Sequence, residues 1–316
     1  MNVLAVLAVL AGLLLLWKAA DVLVDAASVG AARIGVPPLV VGAVVVGAGT
    51  SSPEAFVSAL AALEGRLDVA TANVVGSNAA NLSLVLGSAA LLRAVPVSRD
   101  LLRGQLPLTV VVTAVLAVVV QGGLSRVEGL LLLGGLVVLL ALVLLRGRGP
   151  GAGGRAAPDA GAASGGRSPG RWALVLRVVG GLVGVVAGAQ LLVTGASDLA
   201  ADLGASPAFV GLTVVAVGTS LPELVTSVAA ARRGATDLLL GNVLGSNVVN
   251  SLGVMGLAAV LGPGPLEDTG LLVVGVATML VVTALATVFL LTSRTVSRRE
   301  GAALLAVWLV LLPFAA

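Results

Sequence analysis

The sequence contains no cysteine and no histidine. The first absence excludes disulfides, thiolate metal centres and Cys nucleophiles. The second removes the commonest general base and the commonest transition-metal ligand. Charge is also scarce, at 10% of 316 residues, where a soluble domain carries about 25%. So few charges cannot coat a water-facing surface, which excludes a soluble globular enzyme. Charge-rich disorder is excluded too, because 58% of the residues are hydrophobic and the mean hydropathy is +1.14. Aromatics are only 2%, so an interfacial Trp/Tyr belt is nearly missing. What remains is an all-α polytopic membrane protein with little mass outside the bilayer.

A helix needs about 20 apolar residues to cross the hydrocarbon core. Apolar runs between charge or Gly/Pro breaks predict ten spans, at roughly 3–27, 38–63, 69–92, 105–121, 127–145, 172–199, 208–231, 236–261, 270–292 and 301–315. The first run lacks a basic leader and a cleavage site, so it reads as a retained helix. Alternate loops hold Arg33; Arg93, Arg99 and Arg103; Arg146, Arg148, Arg155, Arg167 and Arg171; Arg232 and Arg233; Arg294, Arg298 and Arg299. That is 14 of the 18 basic residues, against Arg66 and Arg126 in the opposite loops. The positive-inside rule predicts that the first set is cytoplasmic and both termini are outside. The expected organisation is a five-helix unit (1–146), a flexible Gly/Ala/Pro-rich cytoplasmic linker (147–170) and a second five-helix unit (171–316).

Shifting the chain by 169 residues aligns 41–87 with 210–256 without a gap, with 22 of 47 positions identical. Composition alone matches some Ala, Val, Leu and Gly. It does not match polar positions, yet Thr50/Thr219, Ser51/Ser220, Pro53/Pro222, Glu54/Glu223, Asn73/Asn242, Ser77/Ser246, Asn78/Asn247 and Asn81/Asn250 all coincide. Five spans per unit is an odd number, so the second copy is expected upside down relative to the first. Inverted repeats are a recurrent transporter architecture, with the substrate site near the midplane.

Glu54 and Glu223 fall deep inside predicted spans. An ionised carboxylate in hydrocarbon costs several kcal/mol (about 3 or more) unless it is paired, protonated or hydrated. Neither has a basic residue within its own helix, so a bound cation is the simplest compensation. The surrounding donors are carboxylates, hydroxyls, amide oxygens and backbone carbonyls. That all-oxygen set suits hard cations such as Ca²⁺, Mg²⁺ and Na⁺. The two carboxylates together match the charge of one divalent ion. Pro53 and Pro222 cannot donate to the carbonyls of Gly49 and Gly218, which predicts helix breaks there and frees backbone oxygens. A neighbouring carbonyl of Gly47, Thr50, Ala216 or Thr219 is then able to face an ion. Ser77 and Asn81 share one helix face at i, i+4, as do Ser246 and Asn250. By contrast, Asn73, Asn242, Asn78, Asn247, Ser58 and Ser227 read better as interhelical glue. Asp21, Asp25, Asp198 and Asp202 lie near helix ends and are expected to be solvated or locally paired, with Lys18 snorkelling or pairing with Asp21.

With GTSSPE (49–54) and GSNAAN (76–81) in one copy, and GTSLPE (218–223) and GSNVVN (245–250) in the other, the chain resembles the cation/Ca²⁺ exchanger superfamily, specifically its Na⁺/Ca²⁺ exchanger branch with prokaryotic members. The resemblance covers the whole chain and implies ten helices in two inverted five-helix halves. It also implies roles. Glu54 and Glu223 would bind Ca²⁺ and Na⁺ competitively, completed for Ca²⁺ by the Thr50 and Thr219 carbonyls. Ser51, Ser77, Ser220 and Ser246, with the Gly47 and Ala216 carbonyls, would line flanking Na⁺ sites. Asn81 and Asn250 would line the middle. The first helix of each half would slide across the core to switch access. Relatives that depend on K⁺ carry Asp where this chain has Asn250, so the resemblance implies K⁺ independence.

The expected function is a secondary Na⁺/Ca²⁺ antiporter of a prokaryotic plasma membrane, with Ca²⁺ and Na⁺ as transported ions, no cofactor, and the bilayer rather than nucleic acid or an obligate protein as partner. A Ca²⁺/H⁺ or other divalent antiporter is the alternative, and a passive cation channel ranks below it. An intramembrane enzyme ranks last, because no Ser/Lys dyad or paired catalytic Asp motif is present.

Overall fold

The computed structural model describes residues 3–146, 170–203, 216–292 and 294–311. The expected linker apart from Gly170, residues 208–215 of the seventh predicted span and residues 312–315 of the tenth lie outside the described residues.

The first half runs α1 (Val3–Ile34), α2 (Pro38–Thr50), α3 (Ser52–Leu63), α4 (Leu67–Leu92), α5 (Leu101–Gly122) and α6 (Arg126–Arg146). The second runs α7 (Arg171–Asp202), α8 (Ala216–Thr219), α9 (Leu221–Arg233), α10 (Thr236–Leu261), α11 (Leu271–Thr292) and α12 (Arg298–Leu311). Six of these helices are long and apolar enough to cross a membrane alone, and α2 with α3 forms a seventh span bent by 45°. The pair α8 and α9, together with α6 and α12, takes the places of the other three predicted spans.

Two boundaries differ from expectation for identifiable reasons. Helix α1 continues past residue 27 to Ile34, with Asp21 and Asp25 inside it and reached by Arg233 from α9. It stops where Gly35 adopts φ +67° ahead of Pro37 and Pro38. At about 1.5 Å per residue, its 32 residues exceed the hydrocarbon thickness of roughly 30 Å. The second predicted span is not one helix but two. It breaks at Ser51 (φ −78°, ψ 8°), and the break recurs at Ser220 (φ −87°, ψ 4°). Pro53 and Pro222 sit in the first turn of α3 and α9, where a missing N–H costs nothing.

The halves interlock. Helices α1 and α7 cross closely on glycines: a Cβ at Gly12 would lie 2.8 Å from the Gly188 carbonyl oxygen, and one at Gly188 would lie 2.8 Å from the Leu16 nitrogen. Small residues of this kind let membrane helices approach backbone to backbone. The last helix of each half packs on the other half. Helix α6 meets α10 at Gly129 and Gly256, and α12 meets α4 at Gly301 and Gly87. Two short backbone staples follow the same symmetry. The α4–α5 loop pairs with the α11–α12 loop (Val95↔Val296, Pro96↔Thr295), and the α5–α6 loop pairs with the α10–α11 loop (Leu124↔Gly264). Because α5 crosses once between these loops, the staples sit on opposite faces, as an inverted repeat requires.

At the centre lie α4 and α10, with 78% of each spanning window buried against 28% for α1, α7 and α11. Both carry a π-helical turn at the same repeat position, Asn81–Val85 and Val249–Val254. A third, Gly42–Gly47, lies in α2. Such turns rotate the register of a helix and occur often at functional sites.

Candidate ion site

The break at Ser51 aims the first turn of α3 into the protein, and the break at Ser220 does the same for α9. Glu54 and Glu223 are buried as a result, together with Thr50, Thr219, Ser51, Ser220, Ser77, Ser246, Asn81 and Asn250. Gly47 closes the π-helical turn of α2, and Ala216 is the first described residue of α8.

The two copies hold each other's acids. Ser51 donates to Glu223 Oε1 at 3.0 Å, and Ser220 donates to Glu54 Oε1 at 3.4 Å. Within each copy, Ser246 donates to Glu223 Oε1 at 3.5 Å and the Ser77 hydroxyl reaches Glu54. The second oxygen of each carboxylate, Oε2, is buried with no donor. The amide oxygens of Asn81 and Asn250 are likewise buried without donors, and Asn250 Nδ2 has no acceptor. Four orphaned oxygens on four segments are an expensive arrangement for a membrane interior unless a cation meets them. Among the described residues no group of three or more acidic, His or Cys side chains gathers, so further ligands must be neutral oxygens.

The Gly47 carbonyl is such an oxygen, but it is already engaged. It accepts the Ser51 N–H at 3.1 Å, and the hydroxyls of Ser246 and Thr50 stand 3.3 Å away, each able to give its one proton here or to its other acceptor, Glu223 Oε1 or Asn242 Oδ1. The two hydroxyl protons are free to rotate away, which would turn Ser246 and Thr50 into further oxygen ligands. The Gly49 carbonyl is not left free as the proline argument expects. Ser52, the first residue of α3, donates its hydroxyl to it at 2.6 Å.

A second layer fixes the first. Asn73 donates to Ser58 Oγ at 2.9 Å and to the Glu54 carbonyl at 3.2 Å. Its repeat mate Asn242 donates to Ser227 Oγ at 3.0 Å and to the Glu223 carbonyl at 3.5 Å, and its Oδ1 accepts from Thr50 Oγ1 at 3.2 Å. These residues act as the interhelical glue expected of them. They also hold the backbone of each Glu. Across the midline, Asn81 donates to Asn247 Oδ1 at 3.0 Å, Asn247 to the Asn78 carbonyl at 3.1 Å, and Asn78 to Ser251 Oγ at 2.8 Å. Ser251 is missed by repeat reasoning because its mate is Leu82. Its only sequence signal is a hydroxyl adjoining Asn250. Gln105 and Thr109 on α5 are missed too, and they donate to the Gly241 and Leu244 carbonyls of α10 at 3.4 and 3.3 Å.

The peripheral charges follow a different pattern from the one expected. Asp21 and Asp25 do not pair along their own helix. Arg233, at the end of α9, reaches both, at 3.4 and 3.5 Å.

Residues 4–145 and 173–316 match the family described as sodium/calcium exchanger protein. The putative antiporter CaxA of Alkalimonas amylolytica is 38% identical over 83% of this chain and 82% of its own. The sodium/calcium exchanger MaX1 of Methanosarcina acetivorans is 30% identical over 95% of each chain. A structure of the sodium-calcium exchanger NCX_Mj, soaked with 2.5 mM Na⁺ and 0.1 mM Ca²⁺, superposes with a TM-score of 0.85 at 29% identity, covering 99% of both chains. The likeness is to transporters, not catalysts, and it extends over both inverted halves. This chain therefore belongs to the sodium/calcium exchanger protein family.

Proposed function

We propose that this chain exchanges Na⁺ for Ca²⁺ by alternating access, at a site built from Glu54 and Glu223 with Thr50, Thr219, Ser51, Ser220, Ser77, Ser246, Asn81, Asn250 and the Gly47 and Ala216 carbonyls. The observation that carries the reading is the pair of buried carboxylates, one per repeat, each leaving Oε2 without a donor. Two negative charges balance one Ca²⁺. Na⁺ ions spread over the same oxygens compete with it, so the site does not hold both fully. That competition is the coupling, provided the carrier switches poorly when the acids are uncompensated, because moving a bare buried carboxylate pair through hydrocarbon is costly.

The switch is a sliding of α1 and α7 over the core. Both helices are far less buried than α4 and α10, and they cross each other on glycine contacts, where little bulk opposes sliding. The units 1–146 and 171–316 are the two inverted repeats, with 147–170 a cytoplasmic linker and both termini outside. Asn250 supplies a buried amide where an acid would add a third negative charge, which favours K⁺-independent exchange.

The test is flux. Na⁺-loaded proteoliposomes are diluted into Na⁺-free buffer containing radioactive Ca²⁺. Uptake that requires the outward Na⁺ gradient and ignores K⁺ is expected. Uptake driven by a pH gradient instead would move the reading to Ca²⁺/H⁺ exchange, and flux indifferent to any counter-ion gradient would make the protein a channel.

A further inference from the structure

On the protein's surface, between the middle of α1 and α9, lies an apolar cavity of about 210 Å³ lined by Trp17, Ala20, Val225, Val228, Ala229 and Arg232. It is separate from the ion site and it opens where the helices face lipid. Trp17 is 56% exposed. The guanidinium carbon of Arg232 stands 5.3 Å from the centre of the Trp17 ring. A cation over a ring face uses the face of the guanidinium and leaves its N–H edges free to donate.

Those donors have no carboxylate. Asp21 and Asp25, on the helix that carries Trp17, are both engaged by Arg233. Among the described residues Arg232 makes no ion pair. The pattern is also confined to one face. Shifted by 169 residues, Trp17 becomes Val186, Arg232 becomes Leu63 and Arg233 becomes Glu64, so the equivalent place in the inverted copy has no cation, and its one ring, Phe56, stands where this groove has Val225. An unpaired guanidinium at the mouth of an apolar groove, on the Arg-rich face of a membrane protein, is chemically complementary to one kind of molecule. That molecule carries a phosphate and an acyl chain.

We infer that this groove is a binding site for an anionic phospholipid, whose acyl chain lies along Trp17, Val225 and Val228 and whose headgroup phosphate accepts from Arg232. The inference rests on the chain spanning a membrane and not on which ions it exchanges. The zwitterionic headgroup of phosphatidylcholine carries its own cation and competes poorly for a lone Arg.

The test uses the full chain in vesicles, with Trp17 as its own reporter. Trp172→Phe and Trp308→Phe together leave Trp17 as the sole tryptophan, and Trp17→Phe with Trp172→Phe leaves Trp308 as a control. Brominated phosphatidylglycerol and brominated phosphatidylcholine are compared as quenchers. A basic residue near an anionic surface gains about fivefold in binding, so phosphatidylglycerol is expected to occupy the Trp17 site about five times more readily than phosphatidylcholine. Trp308 is expected to show no such preference, and Arg232→Gln is expected to bring Trp17 down to the Trp308 level. Equal preference at the two tryptophans overturns the site, and an undiminished preference in Arg232→Gln removes Arg232 from it. Displacement by excess glycerol phosphate would reassign the pocket to a free phosphate anion. None of these outcomes depends on transport, so they leave the exchange reading untouched.

Discussion

The two halves are near-copies at the membrane centre and opposites at the helix ends. Helices α3 and α9 both start after a broken turn, both carry a buried Glu in the first turn, and both end at a left-handed glycine, Gly65 at φ +73° and Gly234 at φ +71°. Just before that glycine the copies part. The first reads Leu63–Glu64 and the second Arg232–Arg233. The difference separates two tasks. Under the proposed function, ion chemistry needs the same oxygens from each copy, and Ser51 does donate to Glu223 while Ser220 donates to Glu54. Orientation needs the copies to differ, because identical inverted halves with identical end charges would insert equally well either way up.

If the centre is symmetric in function, the two acids must matter alike. Glu54→Gln and Glu223→Gln each keep the shape and remove one charge facing a bound cation. Losing one partner of a buried charged contact costs about 3–5 kcal/mol, or more than about a hundredfold in affinity. Na⁺-gradient-driven Ca²⁺ uptake in proteoliposomes is therefore expected to vanish in both variants. Normal uptake in either one would break the comparison at its root. Ser51→Ala and Ser220→Ala sharpen it. Each removes one hydrogen bond to a carboxylate on the opposite half, worth about 1.5–3 kcal/mol, so about a tenfold or greater fall in apparent Ca²⁺ affinity is expected from either. Competition binding with radioactive Ca²⁺ measures this, and a large effect in only one would show that the acids are unequal.

Much of this centre is legible in sequence. Matched polar residues at a fixed 169-residue shift cannot arise from an apolar composition, and a Glu inside an apolar run is conspicuous. The span 236–261 is found at its observed limits because charge and Gly/Pro breaks flank it. What escapes is whatever depends on the third dimension. The π-helical turns leave no periodic mark over five or six residues. Ser251 is invisible because its mate is Leu82. The Asp21 and Asp25 pairing with Arg233 joins residues more than 200 positions apart, so local reasoning looks to Lys18 instead. The proline argument locates both breaks correctly but misses that Ser52 would take up the Gly49 carbonyl.

Packing at the centre offers an intermediate test. Helices α2 and α10 touch backbone to backbone, and a Cβ at Gly241 would fall 2.2 Å from the Leu39 carbonyl oxygen. No flexible side-chain end is available to yield, so Gly241→Ala must push α10 off α2. Overpacking of this kind costs about 1–3 kcal/mol, and the detergent-solubilised protein should melt several degrees lower. Asn242 and Ser246 ride on the same helix, so Ca²⁺ affinity should fall with it. An unchanged melting temperature would mean that the helices are not held as closely as the symmetric core requires.

The helix ends should give the smallest effect, and its salt dependence is the informative part. Arg233 is 40% exposed and its partners Asp21 and Asp25 are 34% and 48% exposed, so water and salt screen the pairs. Exposed pairs contribute about 0–1 kcal/mol. Arg233→Ala should thus lower the melting temperature by at most a few degrees at low ionic strength, and the difference from the parent should shrink as salt shortens the Debye length from about 10 Å at 0.1 M toward about 3 Å at 1 M. Glu64→Ala, at the matching place in the first copy, touches neither Asp21 nor Asp25 and pairs with Arg66 within its own turn. It should show no salt-dependent penalty beyond that local pair. A loss as large in Glu64→Ala as in Arg233→Ala would mean that the ends are as symmetric as the centre, and the proposed division between ion chemistry and orientation would fail.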